Sequence, residues 1–168
     1  WHTLAVDSEG AVYAWGDGEF SQLGNGQHGT GVESSVPLLV DPVGTPMAGK
    51  KIVSVSAGGN NYYLQQILPS SQSVVLADDD SIYTWGTSHA GEIGNGGSAG
   101  GAQYDRPVAV ATSGTPMAGK SSIQISTGIF STFALSSEGR VYSWGINEYG
   151  ELGDDTTINR NKPVAVAT

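Results

Sequence analysis

The stretch Ser81-Ile82-Tyr83-Thr84-Trp85-Gly86, followed eight residues after its tryptophan by Ile93-Gly94, decides the fold because it occurs three times. Ala11-Val12-Tyr13-Ala14-Trp15-Gly16 with Leu23-Gly24, and Arg140-Val141-Tyr142-Ser143-Trp144-Gly145 with Leu152-Gly153, repeat it without a gap. A second shared block follows each copy: Pro37-Leu38-Leu39-Val40, Pro107-Val108-Ala109-Val110 and Pro163-Val164-Ala165-Val166. Self-similarity at this spacing marks stacked supersecondary units, none of which can bury its apolar face alone. Alignment on the tryptophans divides the chain into a truncated copy over residues 1–42 and whole copies over 43–112 and 113–168. Trp1 then corresponds to Phe130, and the first 17 residues of the first copy are lacking.

Within a copy, apolar and polar residues alternate over short runs such as Ile52-Val53-Ser54-Val55-Ser56 and Ile123-Gln124-Ile125-Ser126. This is the period of half-buried strands, and helical periodicity is nearly absent. Ser8-Glu9-Gly10, Ser137-Glu138-Gly139 and Asp78-Asp79-Asp80 stand where hairpins need a left-handed residue. Four strands per whole unit are expected, near residues 52–56, 74–77, 82–85 and 107–111, hence about eleven in all. Four-stranded units of 50–70 residues suit a β-propeller, in which each blade hides a face against the next. The fold expected is all-β, a single partial propeller of four-stranded antiparallel blades encoding about 2.75 of them.

His2-Thr3-Leu4-Ala5-Val6, Gln22-Leu23-Gly24-Asn25-Gly26, Ala57-Gly58, Glu92-Ile93-Gly94-Asn95-Gly96, Phe133-Ala134-Leu135 and Glu151-Leu152-Gly153 surround the Trp-Gly pairs. With them, nearly the whole chain resembles the repeats of the regulator-of-chromosome-condensation family. The resemblance implies an architectural role for Trp15-Gly16, Trp85-Gly86 and Trp144-Gly145. A tryptophan at a strand end is a large apolar wedge between blades, and glycine after it turns the backbone where a Cβ would clash. Leu23, Ile93 and Leu152 are expected as buried aliphatics closing the following turn. Propellers of this family usually close with seven blades. A chain with fewer is expected either to be an excerpt or to associate through its bare blade edges, since unpaired strands invite pairing.

Composition removes several functions. The 168 residues carry 16 acidic and 7 basic side chains, a net charge of −9 that opposes nucleic-acid binding through a basic face. With no cysteine there is no disulfide, thiolate metal site or cysteine nucleophile. No run reaches the ~18 apolar residues of a membrane helix. The low lysine content and abundant Ser, Thr, Gly and Asn resemble bacterial surface or secreted propellers.

Against the third copy, the second carries eleven extra residues, 62–72, between Asn61 and Ser73. Tyr62, Tyr63, Leu64 and Leu68 in this insertion are the expected anchors for a protein partner, since aromatic anchors dominate interface energetics and loops on rigid scaffolds carry function. The competing reading is a longer hairpin or a flap burying its own apolar side chains. Tyr104 and Asp105, in the longer loop from Gly97 to Asp105 after Trp85, are further candidates for partner contact. The Asp78–Asp80 and Asp154-Asp155 clusters lack the alternating ligand pattern of a calcium loop, so no metal is assigned. No nucleophile elbow, zinc-binding histidine pair or phosphate loop is present. The expectation is a non-enzymatic interaction scaffold with no cofactor. The family resemblance also allows guanine-nucleotide exchange on a small GTPase, or inhibition of a secreted enzyme.

Overall fold

The computed structural model describes residues 1–60, 70–97 and 100–167. Among them are eleven strands: β1 His2–Val6, β2 Val12–Asp17, β3 Glu33–Leu39, β4 Ile52–Asn60, β5 Ser70–Ala77, β6 Ile82–Ser88, β7 Ala102–Ala109, β8 Ser122–Thr127, β9 Ser131–Ser136, β10 Val141–Gly145 and β11 Arg160–Ala165. They form three antiparallel sheets in the orders β1-β2-β3, β4-β5-β6-β7 and β8-β9-β10-β11. These are propeller blades, the first lacking its innermost strand, the counterpart of β4 and β8.

The apolar core lies between sheets, as blade stacking requires. Val12, Ala14, Leu23 and Val40 of the first blade meet Ile52, Val75, Ala77, Tyr83 and Trp85 of the second. Val74, Leu76, Ile82 and Val110 of the second meet Ile125, Ala134, Tyr142 and Trp144 of the third. Alternation along β5 therefore sends Val75 and Ala77 one way and Val74 and Leu76 the other, and every residue of the strand is buried. The period-two pattern here signals burial on both faces, because the middle blade is flanked twice.

Each tryptophan stands at a β-bulge, where the pairing of β2 with β3, of β6 with β7 and of β10 with β11 shifts between Ala14 and Gly16, Thr84 and Gly86, and Ser143 and Gly145. The bulge aims the indole out of its own sheet toward the preceding one. A side chain on Gly86 (φ +110) would overlap the carbonyl of Ser71 on the neighbouring strand, and Gly16 and Gly145 face Trp1 and Phe130 in the same way.

Two donors fasten each blade to the one before. The Trp85 indole N–H donates to the Gln22 carbonyl at 2.9 Å, and the Ser73 hydroxyl donates to the same oxygen at 2.9 Å. One junction on, Trp144 and Thr132 donate to the Glu92 carbonyl at 3.0 and 3.4 Å. Ser73 with Trp85 and Thr132 with Trp144 are direct cross-strand neighbours, so both donors of a pair project from one sheet face. Closer to the propeller axis, Ser56 Oγ and Thr127 Oγ1 lie 2.7 Å apart between β4 and β8.

Candidate functional site

Strand alternation sets two kinds of connection at one end of the blades: the turn joining the two innermost strands and the long loop after Trp-Gly. Asp78, Asp79 and Asp80 turn the chain at the opposite end, where Asp79 pairs with Lys50 and Asp80 takes φ +69. Aspartate tolerates that left-handed conformation better than most residues.

The loops at the first end are braced from within. Glu92 Oε2 accepts the backbone N–H groups of His89 (2.8 Å) and Ala90 (2.7 Å). Gln22 Oε1 accepts that of Phe20 (2.7 Å), and Glu151 Oε2 that of Tyr149 (2.8 Å). The Gln/Glu of each repeat thus folds its own loop with its side chain, while its carbonyl, in the first two blades, receives the next blade's donors. In the third loop the fully buried Asn147 donates to Asp154 Oδ1 (2.9 Å) and to the carbonyls of Thr156 (3.0 Å) and Ile158 (3.2 Å). Its Oδ1 accepts the Leu152 N–H at 2.9 Å. Arg160 Nε donates to Asp154 Oδ2 at 2.7 Å. Burial raises the Asp154 pKa, but hydrogen bonds from Thr156, Arg160 and Asn147 and the guanidinium charge outweigh it and hold the carboxyl below its ordinary value.

The residues singled out from sequence fall in different places. Tyr62, Tyr63, Leu64 and Leu68 lie outside the described residues. The end of the insertion is strand: Ser70, Ser71 and Gln72 pair with Asn60, Gly59 and Gly58, lengthening the innermost hairpin by three pairs. This strand begins before the expected residue 74, because Gln72, Ser71 and Ser70 are buried polar residues whose backbone is paired and whose side chains give no apolar alternation. Gln72 Nε2 reaches across to the third blade, donating to the Ser131 carbonyl at 2.9 Å. Tyr104 is partly buried and packs against the core between the first two sheets. Asp105 lies at the same junction: its carbonyl accepts the Gly26 N–H at 2.9 Å and its carboxylate stands 3.9 Å from His28 Nδ1. Beside it Arg106 pairs with Asp41 at 3.0 Å. Asp105 and His28 are brought together; both are half-exposed. Leu23, Ile93 and Leu152 are fully buried, as are Trp85 and Trp144, whereas Trp15, with no sheet among the described residues packed on that side, is partly exposed.

The paired donors on one carbonyl are what sequence reasoning missed. Their signal was present: Thr3, Ser73 and Thr132 each stand 12 residues before a tryptophan.

One pair has the look of catalysis. His2 Nε2 and Ser73 Oγ lie 2.8 Å apart, with Ser73 fully buried. The Ser73 proton is donated to Gln22, so His2 must be the donor to Oγ, opposite to what a general base needs. Burial foremost, and then the terminal ammonium, lower the His2 pKa to about 4 against the opposing pull of Asp17. The unfolded chain, with histidine near 6.5, therefore binds more protons than the native one between pH 6.5 and 4. Stability is complete above pH 6.5 and is expected to fall as the pH drops through that window, with Asp154 adding a further loss below its unfolded value of 3.8. Urea midpoints from pH 8 to 3 check this, and His2→Gln should flatten the upper part of the decline alone.

Among the described residues no three His, Asp or Glu side chains gather as a metal site, and no helix is long and apolar enough to cross a membrane. Comparison with known proteins matches residues 9–62 and 138–168 to the model of the regulator of chromosome condensation (RCC1) repeat, and residues 123–151 to a second model of that repeat. The chain belongs to the RCC1 repeat family. Mouse E3 ubiquitin-protein ligase HERC2 is 31% identical over 166 residues, 98% of this chain and 3% of that protein. The ultraviolet-B receptor UVR8 of Arabidopsis thaliana is 28% identical over 165 residues, 98% of this chain and 32% of the receptor. Prp20p of Saccharomyces cerevisiae, described with its binding properties toward Gsp1p and histones, superposes with a TM-score of 0.76 at 17% identity, over 99% of this chain and 36% of its own. This RCC1-repeat chain thus spans about a third or less of the length of these relatives. At 17% identity the likeness to Prp20p shows the fold, a partial propeller.

Proposed function

We propose that this chain is a protein-interaction scaffold that works by binding and catalyses no reaction, holding the loops after Trp-Gly ready at one end of stacked blades. The observation that carries the reading is the internal bracing of those loops by Glu92 and Asn147, since a pre-ordered loop loses little entropy when it captures a partner. That Prp20p is described as binding Gsp1p and histones supports a protein ligand. Tyr62, Tyr63, Leu64 and Leu68 are the proposed anchors, with Tyr104 and Asp105 at the flank. Self-association through the open blade edges is part of the proposal. The absence of cysteine and the scarcity of lysine are the compositional support for a bacterial surface or secreted setting.

The test replaces Tyr62 and Tyr63 together with serine. The melting temperature is expected to stay at the wild-type value while proteins captured by the immobilised wild-type chain are lost. A loss of several kcal/mol in stability would instead make the tyrosines core residues and overturn the assignment.

Guanine-nucleotide exchange on a small GTPase is the second reading, favoured by the family and by the fold shared with Prp20p. Accelerated nucleotide release from any member of a GTPase panel would establish it in place of the first.

A further inference from the structure

Two of the seven asparagines are followed by glycine, Asn25-Gly26 and Asn95-Gly96, and they occupy the same turn of successive repeats. Each is folded as an Asx turn, Asn25 Oδ1 accepting the Gln27 N–H at 3.1 Å and Asn95 Oδ1 accepting the Gly97 N–H at 2.9 Å. That conformation lays the carboxamide back along the peptide that follows, and the glycine has no Cβ to hold it off. Both turns are half-buried at a junction between two blades, within reach of water.

A cation of the next blade stands over each turn. A Cβ built on Gly26 would lie 3.1 Å from Arg106 Nε and 3.2 Å from Nη2, and one on Gly96 would lie 2.6 Å from Lys162 Cε and 3.6 Å from Nζ. A positive charge there favours a deprotonated glycine amide and the oxyanion that forms as it attacks a carbonyl carbon. The third repeat shows the same turn holding a carboxylate. Asp154 takes the place of the asparagine, its Oδ1 accepting the Thr156 N–H at 3.1 Å and its Oδ2 the Arg160 Nε–H at 2.7 Å.

The restraint on each glycine differs between the junctions. The Gly26 N–H donates to the Asp105 carbonyl at 2.9 Å, while the Asp105 carboxylate faces His28 at 3.9 Å. The Gly96 N–H donates to the Asn161 carbonyl at 2.8 Å, and Asn161 Nδ2 also donates to the carbonyls of Gly96 (3.3 Å) and Gly97 (3.0 Å). An amide must leave its acceptor before its nitrogen can attack, and a loop opens locally more easily where fewer bonds hold it.

We propose that Asn25-Gly26 is a self-modifying site that deamidates ahead of Asn95-Gly96. The Gly26 nitrogen bonds to Asn25 Cγ and gives up its proton, and the side-chain nitrogen leaves as ammonia. Water then opens the resulting succinimide at one carbonyl or the other, giving aspartate or isoaspartate. Each event adds one negative charge to the net −9. Aspartate at this position gains Arg106 as a partner across the junction. Isoaspartate lengthens the main chain by a methylene and draws the Gly26 N–H away from Asp105, loosening the joint.

The test holds the folded chain in warm, mildly alkaline buffer and maps its peptides by mass spectrometry over time, beside the same chain unfolded in guanidinium chloride. In the folded chain Asn25 is expected to convert about three- to tenfold faster than Asn95, the effect of one or two hydrogen bonds on local opening. Unfolded, the two should convert at similar rates, since both lie in Gly-Asn-Gly. Arg106→Gln should slow Asn25 by about two- to fivefold, as for a half-exposed charge, and leave Asn95 unchanged. Asn161→Ala should bring Asn95 up toward the rate of Asn25. Circular dichroism of both variants confirms that the blades stay folded. The proposal is overturned if Asn25 stays intact in the folded chain while it converts in the unfolded one, if the folded chain keeps the unfolded ratio of rates, or if neither variant changes the rate it faces.

Discussion

Trp85→Ala is expected to lower the free energy of unfolding by about 3–5 kcal/mol, the cost of deleting a large, fully buried aromatic side chain. The cavity opens between two sheets, where Val12, Leu23, Val40, Val75 and Tyr83 share the core with the indole. Those groups come from different blades, so collapse would shift one blade against another, and relaxation recovers little. The lost hydrogen bond adds less, because the Gln22 carbonyl keeps the Ser73 hydroxyl. Trp15→Ala is the internal comparison: the same residue at the same place in the motif, but partly exposed, should cost less than half as much. Equilibrium urea unfolding of both variants decides the matter, and equal losses would mean that burial between blades does not set the contribution of the tryptophan.

The second large effect is expected at Gly94. An added methyl group there would lie 2.5 Å from Trp144 Nε1 and 2.7 Å from Cδ1, on a backbone with φ +71. Alanine in a left-handed conformation costs about 1–2 kcal/mol. Displacing a packed indole adds a further ~1–3 kcal/mol of overpacking. Gly153→Ala carries nearly the same backbone cost, at φ +66, but meets only Val166 Cγ1 at 3.1 Å. The difference between the two substitutions, read from denaturation midpoints, therefore isolates the contact between blades. If both cost the same, the glycine is required for its backbone conformation alone.

Much of the blade was legible in the residues. The thrice-repeated Trp-Gly, the alternation of Ile52 to Ser56 and the turn at Asp78 to Asp80 act over two to four positions, where steric rules and side-chain period operate without knowledge of the rest of the chain. The extent of β5 was less legible, because Ser70, Ser71 and Gln72 are held by pairing with Gly58 to Asn60 and by the Gln72 bond to Ser131, not by an apolar pattern. Asp105 shows the same limit: a carboxylate in a longer loop region reads as a partner contact, and only the fold sets it beside His28 while its carbonyl holds Gly26.

The sequence by itself determined the strand content, the hairpin turns, the blade count near 2.75 and the need for tryptophan and glycine at each strand end. Only the tertiary structure decided that the indole and a hydroxyl 12 residues before it share one carbonyl of the preceding blade, and that His2 donates a partly buried hydrogen bond to Ser73 instead of accepting its proton. Those contacts join residues 51 to 71 positions apart, and their geometry follows from how one sheet is set against the next, which no local pattern encodes.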